Sequence, residues 1–331
     1  LFTLCGCDDD SKEIFEGVDN HINSFTLTST GGTRYEAAII GNQIVMTIPQ
    51  NESLQDAKVE YSVCEQTDLF PSPANIKDWN NEHVFRVVSH NQTLRDYTYT
   101  VKRKDVNSEG TIELLTQADV NAFAQTGINT IEGSLILGSI NGTTDDPIKD
   151  LSPLSGLTNV RYNIVINNSF AGSSLAGLEN IVSAGGLTIG SATTPTTPKE
   201  GIAVVLSSLE SLGKLQINSS QVTALILPKL KTVGDTYIDA NMLAMADFSS
   251  LETCDENFIM KASSGNTYLT TLALPAFNHV RCNMQIEKYT KIETLSLPKL
   301  EKVGGNVTLS TLGSITELSL PEFAQCGGSF S

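Results

Sequence analysis

Positive charge is scarce in this chain: 21 lysines and arginines stand against 37 acids, giving a formal net charge of −16. No basic stripe exists to neutralise a phosphate backbone, so nucleic acid is not an expected partner. Long apolar runs are also missing, and none approaches the roughly 20 residues a membrane-spanning helix needs. Cys64, Cys254, Cys282 and Cys326 have neither CxxC spacing nor a neighbouring histidine pair. The four histidines, His21, His83, His90 and His279, are scattered with no HExxH among them. A zinc site is therefore not expected. Nucleophile elbows, Walker loops and dinucleotide fingerprints are absent too, so no cofactor and no catalytic residue can be named. Hydrophobic residues reach 40% and charged residues only 18% of 331. That balance supports sizeable cores, and the length supports two domains.

The two ends of the chain carry different signals. The start reads Leu4-Cys5-Gly6-Cys7-Asp8-Asp9-Asp10 and resembles a bacterial lipobox: a leucine, two small residues that a peptidase can accommodate, and a cysteine whose thiol takes lipid. Phe2 and Leu4 then read as the remnant of a signal-peptide core. The acidic run after Cys7 resembles the tethers of Bacteroidota-type surface lipoproteins. The resemblance implies lipid attachment at Cys7 and display on the outer membrane, exposed at the cell surface. At the other end, Cys326-Gly327-Gly328-Ser329-Phe330-Ser331 aligns with Val303-Gly304-Gly305-Asn306-Val307-Thr308. The sequence stops inside a strand there, and truncation of the last coil is the expectation.

Residues 20–104 read as about seven short strands separated by turn chemistry. Ile44, Met46 and Ile48 alternate with polar or solvent-side positions, as do Val59, Tyr61 and Val63, and Tyr97, Tyr99 and Val101. No segment has helical period over a helix's length, which predicts a small β-sandwich. The stretch Leu94–Val101 followed by Lys102-Arg103-Lys104 resembles the last strand of the Ig-like modules that follow the anchor in such lipoproteins, where they act as spacers. Trp79 in Asp78-Trp79-Asn80-Asn81 is expected to be a core or loop anchor rather than a sugar platform.

After a linker at 105–110, residues 111–331 contain a repeat. Leu272-Ala273-Leu274-Pro275, Leu295-Ser296-Leu297-Pro298 and Leu318-Ser319-Leu320-Pro321 follow one another at a step of 23 residues, and Leu225-Ile226-Leu227-Pro228 is an earlier copy. A second apolar pair follows in each unit, as in Val307-Thr308-Leu309, Met284-Gln285-Ile286, Leu215-Gln216-Ile217 and Leu187-Thr188-Ile189. Two short strands per unit, each with its middle residue outward, predict about nine stacked coils of a parallel β-solenoid. Val233, Val280 and Val303 are read as corner fillers, and Cys254 and Cys326 fall in the same slot as buried, reduced thiols.

Leu151-Ser152-Pro153-Leu154-Ser155-Gly156-Leu157, Leu175-Ala176-Gly177-Leu178-Glu179-Asn180-Ile181 and Gly185-Gly186-Leu187-Thr188-Ile189 resemble receptor L-domains and related leucine-rich repeat surface proteins. That resemblance implies a right-handed solenoid whose flat sheet binds an extracellular protein or glycan. The outward positions Thr188, Gln216, Gln285 and Thr308 are then the candidate ligand-binding residues. They are neutral and lack a proton donor near neutrality, which favours non-catalytic binding or adhesion. The alternative is a polysaccharide-degrading β-helix enzyme, a lyase or hydrolase, with convergent carboxylates and a basic partner on one sheet.

Overall fold

A computed structural model describes residues 17–50, 52–140, 144–190, 201–219 and 221–331. Strands account for 46% of the chain and helices for 5%, so the protein is mostly β. Its contacts divide it into two compact units that meet between Lys104 and Asp105. No helix among the described residues is long and apolar enough to cross a membrane.

The first unit has two sheets. Arg34–Glu36, Ile22–Thr28 and Lys58–Val63 form an antiparallel sheet of three strands. Ala38–Ile40, Gln43–Pro49, Leu94–Lys104, His83–Val88 and Asp68–Phe70 form a sheet of five, in that spatial order. Every pair in it is antiparallel except Gln43–Pro49 with Leu94–Lys104. Alternation puts Phe25 and Leu27 from the first sheet, and Ile44, Met46, Phe85, Val87, Tyr97 and Tyr99 from the second, into one core. The ring of Phe25 lies 5.5 Å from Trp79, 5.8 Å from Tyr99 and 5.9 Å from Phe85, centroid to centroid. Trp79 is fully buried, and its carbonyl accepts the Tyr99 hydroxyl at 2.9 Å. It anchors the core and offers no platform to a sugar. Burial also holds the Tyr99 phenol well above its ordinary pKa. Arg103 ties the adjacent loops down by donating to the Gln50 carbonyl at 3.0 Å and to the Asn80 side chain at 2.9 Å.

The second unit is a parallel β-solenoid of about nine turns, running from about residue 112 to 326. The two-strand coil expected from the repeat becomes a three-strand coil. In the last full turn the chain passes through Lys302–Val303, bends at Gly304-Gly305, and continues through Val307–Ser310 and Glu317–Ser319. Stacked turns convert these into three ladders. The face ladder aligns Leu135, Ile164, Leu187, Leu215, Thr236, Phe258, Met284 and Val307 in register. The corner ladder aligns Ile131, Val160, Ala184, Leu212, Val233, Cys254, Val280, Val303 and Cys326. The residues expected to fill corners are therefore inward positions of strands. The third ladder is split. Ile202–Val205, Val222–Ile226 and Met245–Asp247 make one sheet, and Thr271–Ala273, Thr294–Ser296 and Glu317–Ser319 make another.

Each inward leucine buried by a neighbouring coil contributes about 1.5–3 kcal/mol relative to exposure. A single coil leaves both its flanks wet, so the fold exists only as a stack. In three of the Leu-x-Leu-Pro copies the leucines, Leu225, Leu227, Leu272, Leu274, Leu295 and Leu297, are fully buried in one continuous core, while in the fourth Leu318 is exposed and Leu320 half-buried. Polar groups at the bends are matched from coil to coil. Asn283 accepts from the Asn306 backbone at 2.9 Å, and Asn306 accepts from the Ser329 backbone at 2.9 Å. Where the third ladder is interrupted, the fully buried Asn266 donates to the carbonyls of Ala240 and Leu243 and accepts from the backbone of Tyr268 and Leu269. The longer loop of that coil thereby keeps its polar groups satisfied.

The α-helix Gln117–Ala124 interrupts the first coil and packs Val120 and Phe123 into the solenoid core. Thr116 and Asp119 close a reciprocal capping box at its start. Residues 105–110 bond to the next coil, with Ser108 donating to the Thr130 carbonyl at 2.9 Å and Val106 to the Asn129 side chain at 2.7 Å. Cys254 is buried, and burial pushes its thiol up to about 11, so it stays protonated near neutral pH. Cys326, expected to be buried, is half-buried.

Candidate binding face

On the face ladder each inward residue is followed by one that points away from the core, because strand side chains alternate. Successive register pairs join Ile136, Val165, Thr188, Gln216, Tyr237, Ile259, Gln285 and Thr308 into one outward row. All eight are half-exposed. The four positions picked from the sequence thus share a face, although they fall into two pairs. Thr188 neighbours Gln216, and Gln285 neighbours Thr308, with Tyr237 and Ile259 standing between.

Tyr237 and Ile259 escaped the sequence pattern for a physical reason. The coil of Tyr237 has Thr236 where the others have an apolar inward residue, and in Phe258-Ile259-Met260 the outward residue is itself apolar, so neither coil shows the apolar–polar alternation. Tyr237 gives the centre of the row an aromatic surface, and Lys261 lies against it with its ammonium 4.9 Å from the ring centroid. An ammonium over a ring in this geometry is attracted by the ring's negative face.

A second outward row runs beside the first, two residues further along each strand. Asp239, Lys261, Glu287 and Ser310 are in register there. Asp239 is 8% exposed, and its carboxylate accepts from the Ser263 backbone at 2.8 Å and from the Ser263 hydroxyl. Tyr237 beside it raises the pKa of Lys261, against a smaller opposing effect of burial, and Asp239 and Glu287 raise it further. Lys261 accordingly remains charged near neutrality. The two rows offer an aromatic ring, amides, hydroxyls and fixed charge on one regular surface, which can bond and stack against a ligand.

Cys7, Cys5 and the acidic run Asp8 to Asp10 lie outside the described residues. Among the described residues no group of three or more His, Cys, Asp or Glu side chains could hold a metal ion. In comparisons with known proteins, no family model matches the chain and no curated protein matches its sequence.

Proposed function

We propose that this protein is a non-catalytic surface lipoprotein that binds an extracellular protein or glycan through the face ladder of its solenoid. The anchor is assigned to Cys7 and the location to the outer membrane, facing outward. Leu4-Cys5-Gly6 before Cys7 supports the assignment. Mass spectrometry of the membrane fraction tests it: the peptide covering Cys7 is expected to carry lipid, and finding it unmodified overturns the anchor. The sandwich is assigned to the Ig-like type as a spacer, on its two-sheet arrangement and its place next to the tether. The solenoid is assigned to the leucine-rich repeat type, on its Leu-x-Leu-Pro copies.

The observation that carries the binding reading is the single row from Ile136 to Thr308. Its side chains repeat at the coil spacing, about 4.8 Å, and include one ring, Tyr237, between the Gln216 amide and Ile259, with further amides and hydroxyls along the row. Replacing Gln216, Gln285 and Thr308 together with lysine tests it. Outward polar changes cost about 0.5 kcal/mol or less each, so the variant is expected to fold. Attachment of cells that display it should fall by about tenfold or more, as for loss of central contacts at an interface. Unchanged attachment by a folded variant overturns the assignment.

The enzyme alternative has one observation in its favour, the carboxylate–ammonium–carboxylate order of Asp239, Lys261 and Glu287. Against it, Ser263 occupies both Asp239 oxygens and Lys261 rests on Tyr237. Release of reducing ends or of unsaturated products from a polysaccharide, lost in Lys261→Ala, would establish that alternative.

A further inference from the structure

The corner ladder carries an outward row of its own. Thr130, Asn159, Ser183 and Ser211 are in register on successive coils, and Thr232 and Thr253 continue the line. Sequence patterning hid this row, because its corner segments are either strands of two residues or the first residues of strands that run on into the face ladder. At its first coils a groove of about 490 Å³ opens, lined by these four residues together with Glu132, Arg161 and Gly185. That volume is in the range of small-molecule sites.

A bulge builds one wall. The register between the strands Asn159–Ile166 and Ser183–Ile189 shifts between Val160 and Asn163, so Arg161 and Tyr162 together oppose Gly185. Bulges re-aim side chains, and this one places Arg161 in the groove lining and leaves its neighbour Tyr162, outside that lining, 56% exposed with the Arg161 guanidinium 5.9 Å from its ring centroid. Arg161 also pairs with Glu132 at 3.0 Å, and Asn107 holds the other Glu132 oxygen at 2.9 Å. Gly185 is required below the bulge: a Cβ there would stand 2.7 Å from the Arg161 carbonyl and 2.8 Å from that of Tyr162.

The chemistry selects a ligand class. A peptide strand needs a free edge, whereas the backbone here is spent on the stack, with Thr158 bonded to Asn129, Val182 to Thr158 and Glu210 to Val182. A polyanion meets Glu132 and a chain of net charge −16. What remains is a neutral chain rich in hydroxyls. A fixed guanidinium–carboxylate pair can grip adjacent hydroxyls, hydroxyl and amide groups recur at every coil, and an exposed tyrosine offers a ring for the apolar face of a sugar.

We propose that the groove over Gly185 is a binding site for a neutral oligosaccharide, gripped by Arg161 and Glu132, bonded by Asn159 and Ser183, and stacked on Tyr162. The site lies on a different ladder from the face row and does not depend on it.

Calorimetric titration of the full chain with cellohexaose, mannohexaose, maltohexaose and xylohexaose tests the proposal. At least one should bind with a Kd below about 1 mM. Tyr162→Ala and Arg161→Ala, both at exposed positions, should each weaken that binding by about tenfold or more. Thermal unfolding should confirm that each variant is folded. The Gln216, Gln285 and Thr308 triple-lysine variant should bind as the unaltered protein does, which separates this site from the face row. Binding by none of the four sugars, binding untouched in both groove variants, or binding lost in the triple variant overturns the proposal. Tighter binding of a uronic-acid oligomer than of any neutral one overturns it as well.

Discussion

Replacing Gly234 with alanine should destabilise the solenoid by about 3 kcal/mol or more, as overpacking against a rigid wall does. The backbone angle at Gly234 is outside the left-handed region, so the penalty is steric. A Cβ at Gly234 would fall inside the carbonyl oxygen of Gly213 on the preceding coil, and one at Gly304 would do the same to Arg281. Neither oxygen can retreat, because both belong to the backbone of a stacked turn. Gly265 supplies the control. It has φ +85° with no atom within 4 Å of its would-be Cβ. Gly265→Ala should therefore cost only about 1–2 kcal/mol, the usual charge for a left-handed alanine. Urea denaturation followed by circular dichroism compares them. A Gly234→Ala variant as stable as Gly265→Ala contradicts the stacking geometry.

Phe258→Ala should cost about 3–5 kcal/mol, the range for emptying a buried aromatic site. Its ring is fully buried, 5.0 Å from Phe277 and 6.5 Å from Phe248 by centroid, so three coils lose contacts at once. The loss should be confined to one unit. Trp79 is the only tryptophan and sits in the sandwich core, so its fluorescence reports that unit alone. In denaturant, the circular dichroism transition of the solenoid should move to lower concentration while the Trp79 transition stays in place. Joint movement of the two signals would show that the units unfold as one.

How much of this was legible depended on strand length. The Leu-x-Leu-Pro copies and the apolar pairs after them gave the stack and its period, because three or more alternating residues leave a readable pattern. The corner ladder left none: Thr253–Cys254, His279–Val280 and Lys302–Val303 are two residues each. Its inward valines were visible, and their place in a ladder was not. The same limit hid the groove, whose wall comes from a bulge at Arg161-Tyr162. Tyr237 was missed because Thr236 broke the apolar pair before it, and Ile259 because Phe258-Ile259-Met260 is apolar throughout and shows no alternation. The helix Gln117–Ala124 did carry a signal, Thr116 three residues before Asp119. In the sandwich, alternation identified the inward faces of Gln43–Pro49 and Leu94–Lys104. Their parallel pairing joins strands about 50 residues apart, and alternation has no information on partners.

The central claim is that recognition belongs to the solenoid and that the sandwich holds it in place. Binding to a combined glycan and extracellular-protein array, measured for the full chain and for a chain lacking residues 20–104, addresses it most directly. Each unit has its own core, so removal of one is expected to leave the other folded. The account predicts that the shortened chain keeps the ligands of the full chain. Ligands lost with residues 20–104, yet retained by the triple-lysine variant of the face, would contradict it and assign recognition to the sandwich.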